Sequence, residues 1–285
     1  SIGSSAFLDC TGITSITIPS SVTSIDENAF RGCSNLVTII SNTYLSNFRS
    51  VFDNVNPVGL AITFNYTGEI PAYVCQDRTN LSSVTIGSNI TSIGISSFQN
   101  CSNLTSISIP NSVTSIGGAA FANCTGITSI TMSSSVTSIG DYAFQDCSNL
   151  VTIISNTYLS NFASVFNNIN PVGLTITFNY IGEIPDNACS GKTNLSSVTI
   201  GSNITSIGGS AFYGCTGITS IILPNSVTSI DNNAFQNCSN LTSITMSSSV
   251  TSIGNLAFKN CSSLTSITIP SLTFFGYNPF SGCTG

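Results

Sequence analysis

Residues 13–35 read ITSITIPSSVTSIDENAFRGCSN, and this 23-residue pattern returns at 81, 104, 127, 195, 218 and 241. A further copy at 264–285 is one residue short, and residues 1–12 are the back half of another. Self-similarity at a short fixed period marks a repeat architecture and overrides length as a guide to domain count. Within the unit, Ile16-Thr17-Ile18 alternates as a short half-buried strand with Ser15 and Thr17 outward, and Pro19 ends it. Val22 and Ile25 mark a second extended stretch. Ala29, Phe30 and Cys33 have the spacing of one helical or 3₁₀ turn over 27–33, with Asp26 as its N-cap. Each unit therefore makes a three-sided rung.

Two different units, at 36–59 and 60–80, interrupt the series and reappear at 150–173 and 174–194. The chain thus contains a 114-residue super-repeat, at 36–149 and 150–263. In LSNFRSVFDNV, Leu45, Phe48, Phe52 and Val55 recur at helical spacing, so the pattern predicts amphipathic helices over 43–55 and 157–169, stopped by Pro57 and Pro171. No single rung can bury its own apolar face, so stability must come from stacking rung on rung. Stacking places the outward Ser and Thr pairs in register along one continuous parallel sheet. The expectation is one solenoid over residues 1–285, of about 12 rungs, opening in mid-repeat at Ser1-Ile2-Gly3 as a segment of a longer array.

Only 6% of residues are charged, histidine and tryptophan are absent, and the net charge of -6 includes just five basic residues. Nucleic acid and anionic membranes both call for clustered Lys and Arg, so neither is expected as a partner. No apolar run is long enough to span a bilayer, so no direct membrane insertion is expected of this segment.

The pattern L-x-x-I-x-I-P-x-x-V-x-x-I-x-x-x-A-F-x-x-C resembles the BspA-type class of leucine-rich repeats along essentially the whole chain. The resemblance implies an α/β repeat solenoid, right-handed and curved, with a parallel β-sheet on its concave face and short helical or 3₁₀ turns elsewhere. It further implies a surface protein of the kind that bacteria and parasitic protists use in adhesion to host cells or matrix.

Nine of the eleven cysteines, Cys10, Cys33, Cys101, Cys124, Cys147, Cys215, Cys238, Cys261 and Cys283, share one inward slot three residues after the repeated phenylalanine. They read as a column of small buried thiols, although neighbouring slots also lie within disulfide reach. Without Cys-x-x-Cys or histidine no zinc site is expected. Cys75 and Cys189 instead take the phenylalanine slot, and Arg78 and Lys192 fall in the cysteine column. Lone buried cations are costly, so these rungs are expected to bulge and let the basic side chain reach solvent. The alternative is an anion or glycan contact at Arg78 and Lys192. Catalysis lacks an activating base for a nucleophile, and the acid pairs Asp26/Glu27 and Asp141/Asp146 read as turn residues. Neither a catalytic site nor a cofactor is expected. Sequons recur along the chain, and Asn65, in an irregular rung, is the best acceptor for a glycan.

The most regular outward feature is a hydroxyl stripe: Ser15/Thr17, Ser83/Thr85, Ser106/Ser108, Ser129/Thr131, Ser197/Thr199, Ser243/Thr245 and Ser266/Thr268. Such an uncharged surface suits a glycan or an extended host or matrix protein through many weak contacts. The expected function is a non-catalytic extracellular or cell-surface adhesion or ligand-binding module. The alternative is a filament or surface coat built from copies of the chain, drawn from the absence of polar capping rungs.

Overall fold

The structure is a computed structural model describing residues 1–285. Two compact units are distinguished, Ser1–Asn149 with Val165–Asn168, and Leu150–Ser164 with Ile169–Gly285. Each is a parallel β-solenoid in which equivalent residues of successive rungs pair side by side.

In the first unit the leading strands Ser15–Ile18, Thr38–Ser41, Leu60–Phe64 and Leu81–Ile86 pair in that order, all parallel. A second parallel ladder runs through Gly68–Ile70, Ile90–Ile93, Ser115–Ile116 and Ser138–Ile139, the stretch that Val22 and Ile25 announce in the first copy. The second unit repeats both. Its leading strands are Thr152–Ser155, Leu174–Phe178 and Leu195–Ile200, then Ser220–Ile222, Ser243–Thr245 and Ser266–Ile267. Its second ladder joins Gly182–Ile184, Ile204–Ile207, Ser229–Ile230, Ser252–Ile253 and Phe274–Phe275.

The leading sheet of the first unit is not continuous, which corrects the expectation that every outward pair shares one sheet. Residues 104–109 keep the alternation, with Ile107 and Ile109 buried and Ser106 and Ser108 exposed, yet form no strand. This rung alone in its unit carries serine where the others place Thr or Ile at the second outward position, and loss of the β-branched residue lowers the preference for extended pairing. The next rung recovers a strand, Ser129–Met132, with Ser129 and Thr131 exposed and Ile130 and Met132 buried. That strand lies outside the ladder that ends at Leu81–Ile86. Ser129 and Thr131 are therefore cut off from Ser83 and Thr85 by the unpaired rung, because a sheet passes its hydrogen bonds only from strand to adjacent strand.

The third side differs from the expected helical turn. Residues 26–33 form successive tight turns, closed by Ala29 N–H to Asp26 O (3.3 Å), Arg31 N–H to Asn28 O (3.1 Å) and Cys33 N–H to Phe30 O (3.2 Å). Asn28 and Gly32, at φ 62° and 77°, are left-handed, and two such residues in one corner forbid a helix. Asp26 does not cap its own rung; its carboxylate accepts from Ser4 N–H of the preceding one (3.2 Å). The corner residues also bond outward, Phe7 N–H to Ala29 O (2.8 Å) and Asp9 N–H to Arg31 O (2.7 Å), so this side is laddered too.

The predicted long helices are single turns, α1 (Phe48–Phe52) and α2 (Phe162–Val165). Leu45, Phe48, Phe52 and Val55 are all buried as the spacing demands. Helix growth is limited because flanking groups bond to the neighbouring rung. The Asn47 side chain, at the N-terminus of α1, donates to Ile25 O (2.8 Å) and makes no cap hydrogen bond. A segment this short is not helical on its own.

Stacked rings fill the core. Phe7, Phe30 and Phe52 lie 4.9 and 5.0 Å apart between centroids, and Phe98, Phe121, Phe144 and Phe166 follow at 5.3, 5.1 and 5.5 Å. In the second unit Phe212, Phe235, Phe258 and Phe280 are spaced at 5.2, 5.2 and 5.3 Å. Where Cys75 breaks the column, Phe64 enters from the strand and Phe48 from α1, 5.3 Å apart, to fill the volume; Phe178 and Phe162 do the same beside Cys189 at 5.1 Å.

Because each ring contacts rings above and below, Phe235→Ala opens a cavity that the rigid ladders do not close. The expected loss is about 3–5 kcal/mol of stability, measured by urea unfolding; a loss below about 1 kcal/mol would contradict the stacked core.

Candidate functional site

All the stripe residues from Ser15 and Thr17 to Ser243 and Thr245 are exposed. What distinguishes them is the state of their hydroxyls. Threonines flanking the stripe are committed to the backbone of the preceding rung: Thr242 Oγ1 donates to Thr219 O (2.9 Å) and Thr265 Oγ1 to Thr242 O (3.4 Å). The second ladder is likewise tied, Thr114 Oγ1 to Thr91 O (3.3 Å) and Thr228 Oγ1 to Thr205 O (3.3 Å). By contrast Ser15, Thr17, Ser83, Thr85, Ser197, Thr199, Ser243 and Thr245 make no side-chain hydrogen bond within the chain. Their donors and acceptors face outward, but not on successive rungs: register places Ser15 and Thr17 three rungs from Ser83 and Thr85, and the rung of Ser220 and Ile222 separates Ser197 and Thr199 from Ser243 and Thr245.

The stripe is not the uniform array that the repeat implies. Ser106 and Ser108 stand on a rung with no strand, and Ser129 and Thr131 on the strand beyond it. The Thr131 hydroxyl is exposed and uncommitted like the others, but the sheet does not carry its register back to Thr85. In the second unit the stripe is interrupted by Ile222, 71% exposed. The structure thus divides the stripe into short blocks.

Nine of the cysteines are buried, Cys10 and Cys283 are half-buried, and all eleven thiols are free. The regularity of the column has a physical cause that spacing alone does not show. Every Sγ in it after Cys10 points at a backbone carbonyl of the preceding rung, as Cys124 to Phe98 O (3.0 Å), Cys147 to Phe121 O (3.1 Å) and Cys238 to Phe212 O (3.1 Å). The slot wants a small apolar group carrying one weak donor. Burial pushes the Cys75, Cys147 and Cys189 thiols up to about 12, opposed at Cys75 and Cys189 by the neighbouring cation. Burial raises Cys101, Cys124, Cys215, Cys238 and Cys261 as well. Protonated, enclosed thiols are poor nucleophiles.

Arg78 and Lys192 do not reach solvent. They are 6% and 7% exposed, and each head bonds the preceding rung at the cysteine-slot carbonyl, where the column thiols bond at the phenylalanine slot. Arg78 Nη1 donates to Val55 O (3.2 Å), and Lys192 Nζ to Ile169 O (2.9 Å). Both carbonyls follow the single helical turn, where unsatisfied C=O groups attract a cation. Burial lowers the Lys192 ammonium from its ordinary 10.5. The expected bulge lies elsewhere: the short rungs absorb their missing residues by register shifts at Leu60/Ala61 and Gly68/Glu69, and at the matching places in the second unit. The corner that carries each cation is therefore in register with its neighbour, and the cation sits inside. Neither side chain is placed to meet an external anion or glycan.

Asn65 is exposed, and its amide nitrogen donates to Asn42 Oδ1 (2.8 Å), a pair repeated by Asn179 and Asn156 (2.8 Å). A glycan on Asn65 would leave that nitrogen one proton for the same bond.

Sequence reasoning passed over one feature. On the second ladder of the second unit a groove of about 460 Å³ is lined by Ser206, Ser229, Ser252 and by Glu183, Asp186 and Asp231. Each of these residues reads as an ordinary turn or strand position alone; only the register aligns them.

The BspA type leucine rich repeat region matches residues 1–63, 68–183 and 162–285 in six copies. The chain belongs to this family of leucine-rich-repeat proteins. No relative is found among curated proteins. The fold is similar to that of a leucine-rich repeat protein from Bacteroides ovatus, 21% identical with a TM-score of 0.54, covering 96% of this chain and 87% of that one. Looser matches are a leucine rich cell surface protein from Faecalibacterium prausnitzii (22% identity, TM-score 0.30, 85% and 82% covered) and the pneumococcal vaccine antigen PcpA (17%, 0.36, 95% and 66%).

The thiol column makes stability sensitive to alkali. A raised thiol value in the folded state contributes stability that is complete below the ordinary value of 9.0 and is lost as pH climbs toward 12. Each such thiol costs about 1.4 kcal/mol per pH unit in that window. Lys192 acts oppositely, its burial penalty fading as pH rises toward 10.5, but it is one group against eight. Urea midpoints are expected to fall steeply between pH 9 and 10; a flat profile would contradict the buried column. In native protein at pH 8, a thiol reagent should label only Cys10 and Cys283 rapidly.

Proposed function

We propose that the chain is a non-catalytic binding segment of an extracellular or cell-surface leucine-rich-repeat protein, engaging an extended protein or glycan across the hydroxyl stripe. The observation that carries this reading is the uncommitted state of the stripe hydroxyls beside threonines whose hydroxyls are spent on the backbone. A surface that only needed polarity could have tied these groups down as well. Their recurrence at intervals of two or three rungs spreads weak contacts along the sheet face, which suits a long ligand better than a small one. Membership of the BspA-type family supports a surface location. Burial and protonation of the thiols are compatible with an oxidising environment.

The reading against catalysis draws on the same chemistry. The chain has no histidine to activate a hydroxyl, and its buried thiols are held protonated. Self-association into a filament or coat is the second reading, since two stripes can satisfy each other's hydroxyls.

The test is a binding screen of the chain against immobilised matrix proteins and arrayed glycans, repeated with Thr85→Arg/Thr131→Arg and Thr199→Arg/Thr245→Arg. A ligand bound by the stripe should weaken at least tenfold with at least one pair while the melting temperature holds. Undiminished binding in both variants would overturn the assignment, and concentration-dependent fibres in electron micrographs would transfer it to self-assembly.

A further inference from the structure

The groove of the second unit is a single column of the second ladder. Register pairs Glu183 with Ser206, Ser206 with Ser229, Ser229 with Ser252, and Ser252 with Phe274. The floor therefore runs from a carboxylate through three hydroxyls to an aromatic ring, over four rung steps or about 19 Å. Ser206, Ser229 and Ser252 make no side-chain hydrogen bond within the chain, and Phe274 is 51% exposed.

The acidic groups along it are oriented. Glu183 Oε1 accepts from the Tyr158 hydroxyl (3.2 Å), Asp186 Oδ1 from Gly209 N–H (2.6 Å) and Asp231 Oδ1 from Asn232 N–H (2.6 Å). Each thus has one oxygen anchored and a second available. The neighbouring amides complement them. Asn232 Oδ1 accepts from Asn255 N–H and Asn255 Oδ1 from Tyr277 N–H, both at 2.7 Å, which leaves the two amide NH₂ groups as fixed donors.

The twin column of the first unit has the same floor, Glu69 paired through Ser92 and Ser115 to Ser138. Its flank differs: Ala72, Gly117 and Gly118 stand where the second unit has Asp186, Asp231 and Asn232. The two super-repeats share the scaffold and depart from each other along this wall.

We propose that this groove binds a neutral linear oligosaccharide, at a site separate from the stripe. Its lining combines oriented acceptors, fixed amide donors and hydroxyls that do both, the set that sugar hydroxyls need. A pyranose ring is comparable in length to one rung, so successive sugars meet successive serines. Phe274 closes one end with an apolar face for a sugar ring to stack on.

Titration calorimetry on the whole chain, with cellohexaose, mannohexaose, chitohexaose and hexalysine as probes, tests this. At least one hexasaccharide should bind saturably. Ser229→Tyr, which blocks the floor, should weaken it at least tenfold. So should Asp186→Ala/Asp231→Gly/Asn232→Gly, which installs residues that the first unit already folds with. Ser115→Tyr and the stripe variants should leave it unchanged, which separates this site from the stripe. The proposal is overturned if no hexasaccharide binds, if sugar binding ignores the groove variants, or if hexalysine alone binds in a groove-dependent way.

Discussion

Every rung of this chain depends on hydrogen bonds to residues about 23 positions away. A rung has three short sides and too few internal partners for its backbone, so its N–H and C=O groups are satisfied by the rung before and the rung after. Strand pairs serve the first two sides, and the corner bonds of the Phe7 N–H to Ala29 O type serve the third. Side chains follow the same rule. Most cysteine thiols, and many threonine hydroxyls and asparagine amides outside the stripe, reach back to the rung before, as in Asn240 Nδ2 to Thr216 O (2.8 Å). Composition rich in Ser, Thr and Asn is thus a structural requirement of the ladder as well as a source of solubility.

This constraint explains how the irregular rungs are tolerated. Two residues are missing from the units at 60–80 and 174–194, and two single-residue register shifts restore alignment before the corner is reached. Loss of a ring at Cys75 and Cys189 is offset by Phe64 with Phe48, and Phe178 with Phe162. The basic side chains that replace the thiol donate to Val55 O and Ile169 O, three residues beyond the phenylalanine-slot carbonyls that column thiols meet. A buried cation is tolerated there because its head is hydrogen-bonded to a buried carbonyl just beyond the short helical turn.

Much of this was legible in the sequence. The repeat, the two extended sides, the inward columns and the 114-residue duplication follow from apolar periodicity, which reports burial directly. Burial does not report backbone conformation. Leu45, Phe48, Phe52 and Val55 are inward as a helix would place them, but most of that stretch is held by neighbouring rungs in other conformations. Likewise Ala29, Phe30 and Cys33 have helical spacing on a chain of turns, because left-handed Asn28 and Gly32 reset its direction. The outward stripe shows the same limit: Thr131 is exposed as its alternation demands, yet alternation within a rung does not reveal that the rung before it leaves the sheet. Arg78 and Lys192 were misplaced since solvent access depended on where the bulge fell, and that is a property of pairing between rungs. The Glu183 to Phe274 column escaped notice for the same reason: its members are separated by more than twenty residues at each step.

Register is therefore the claim on which the core, the stripe and the groove all depend, and pairwise cross-linking measures it directly. Ser220 and Ser243 are partners across one ladder step, close enough for a disulfide if both are replaced by cysteine. Ser220→Cys/Ser243→Cys should close that bond on mild oxidation, mapped by mass spectrometry of the digested native protein. Ser220→Cys/Thr245→Cys, two residues out of register, should remain open under the same conditions. Equal cross-linking of both pairs, or preference for the second, would contradict the stacked ladder.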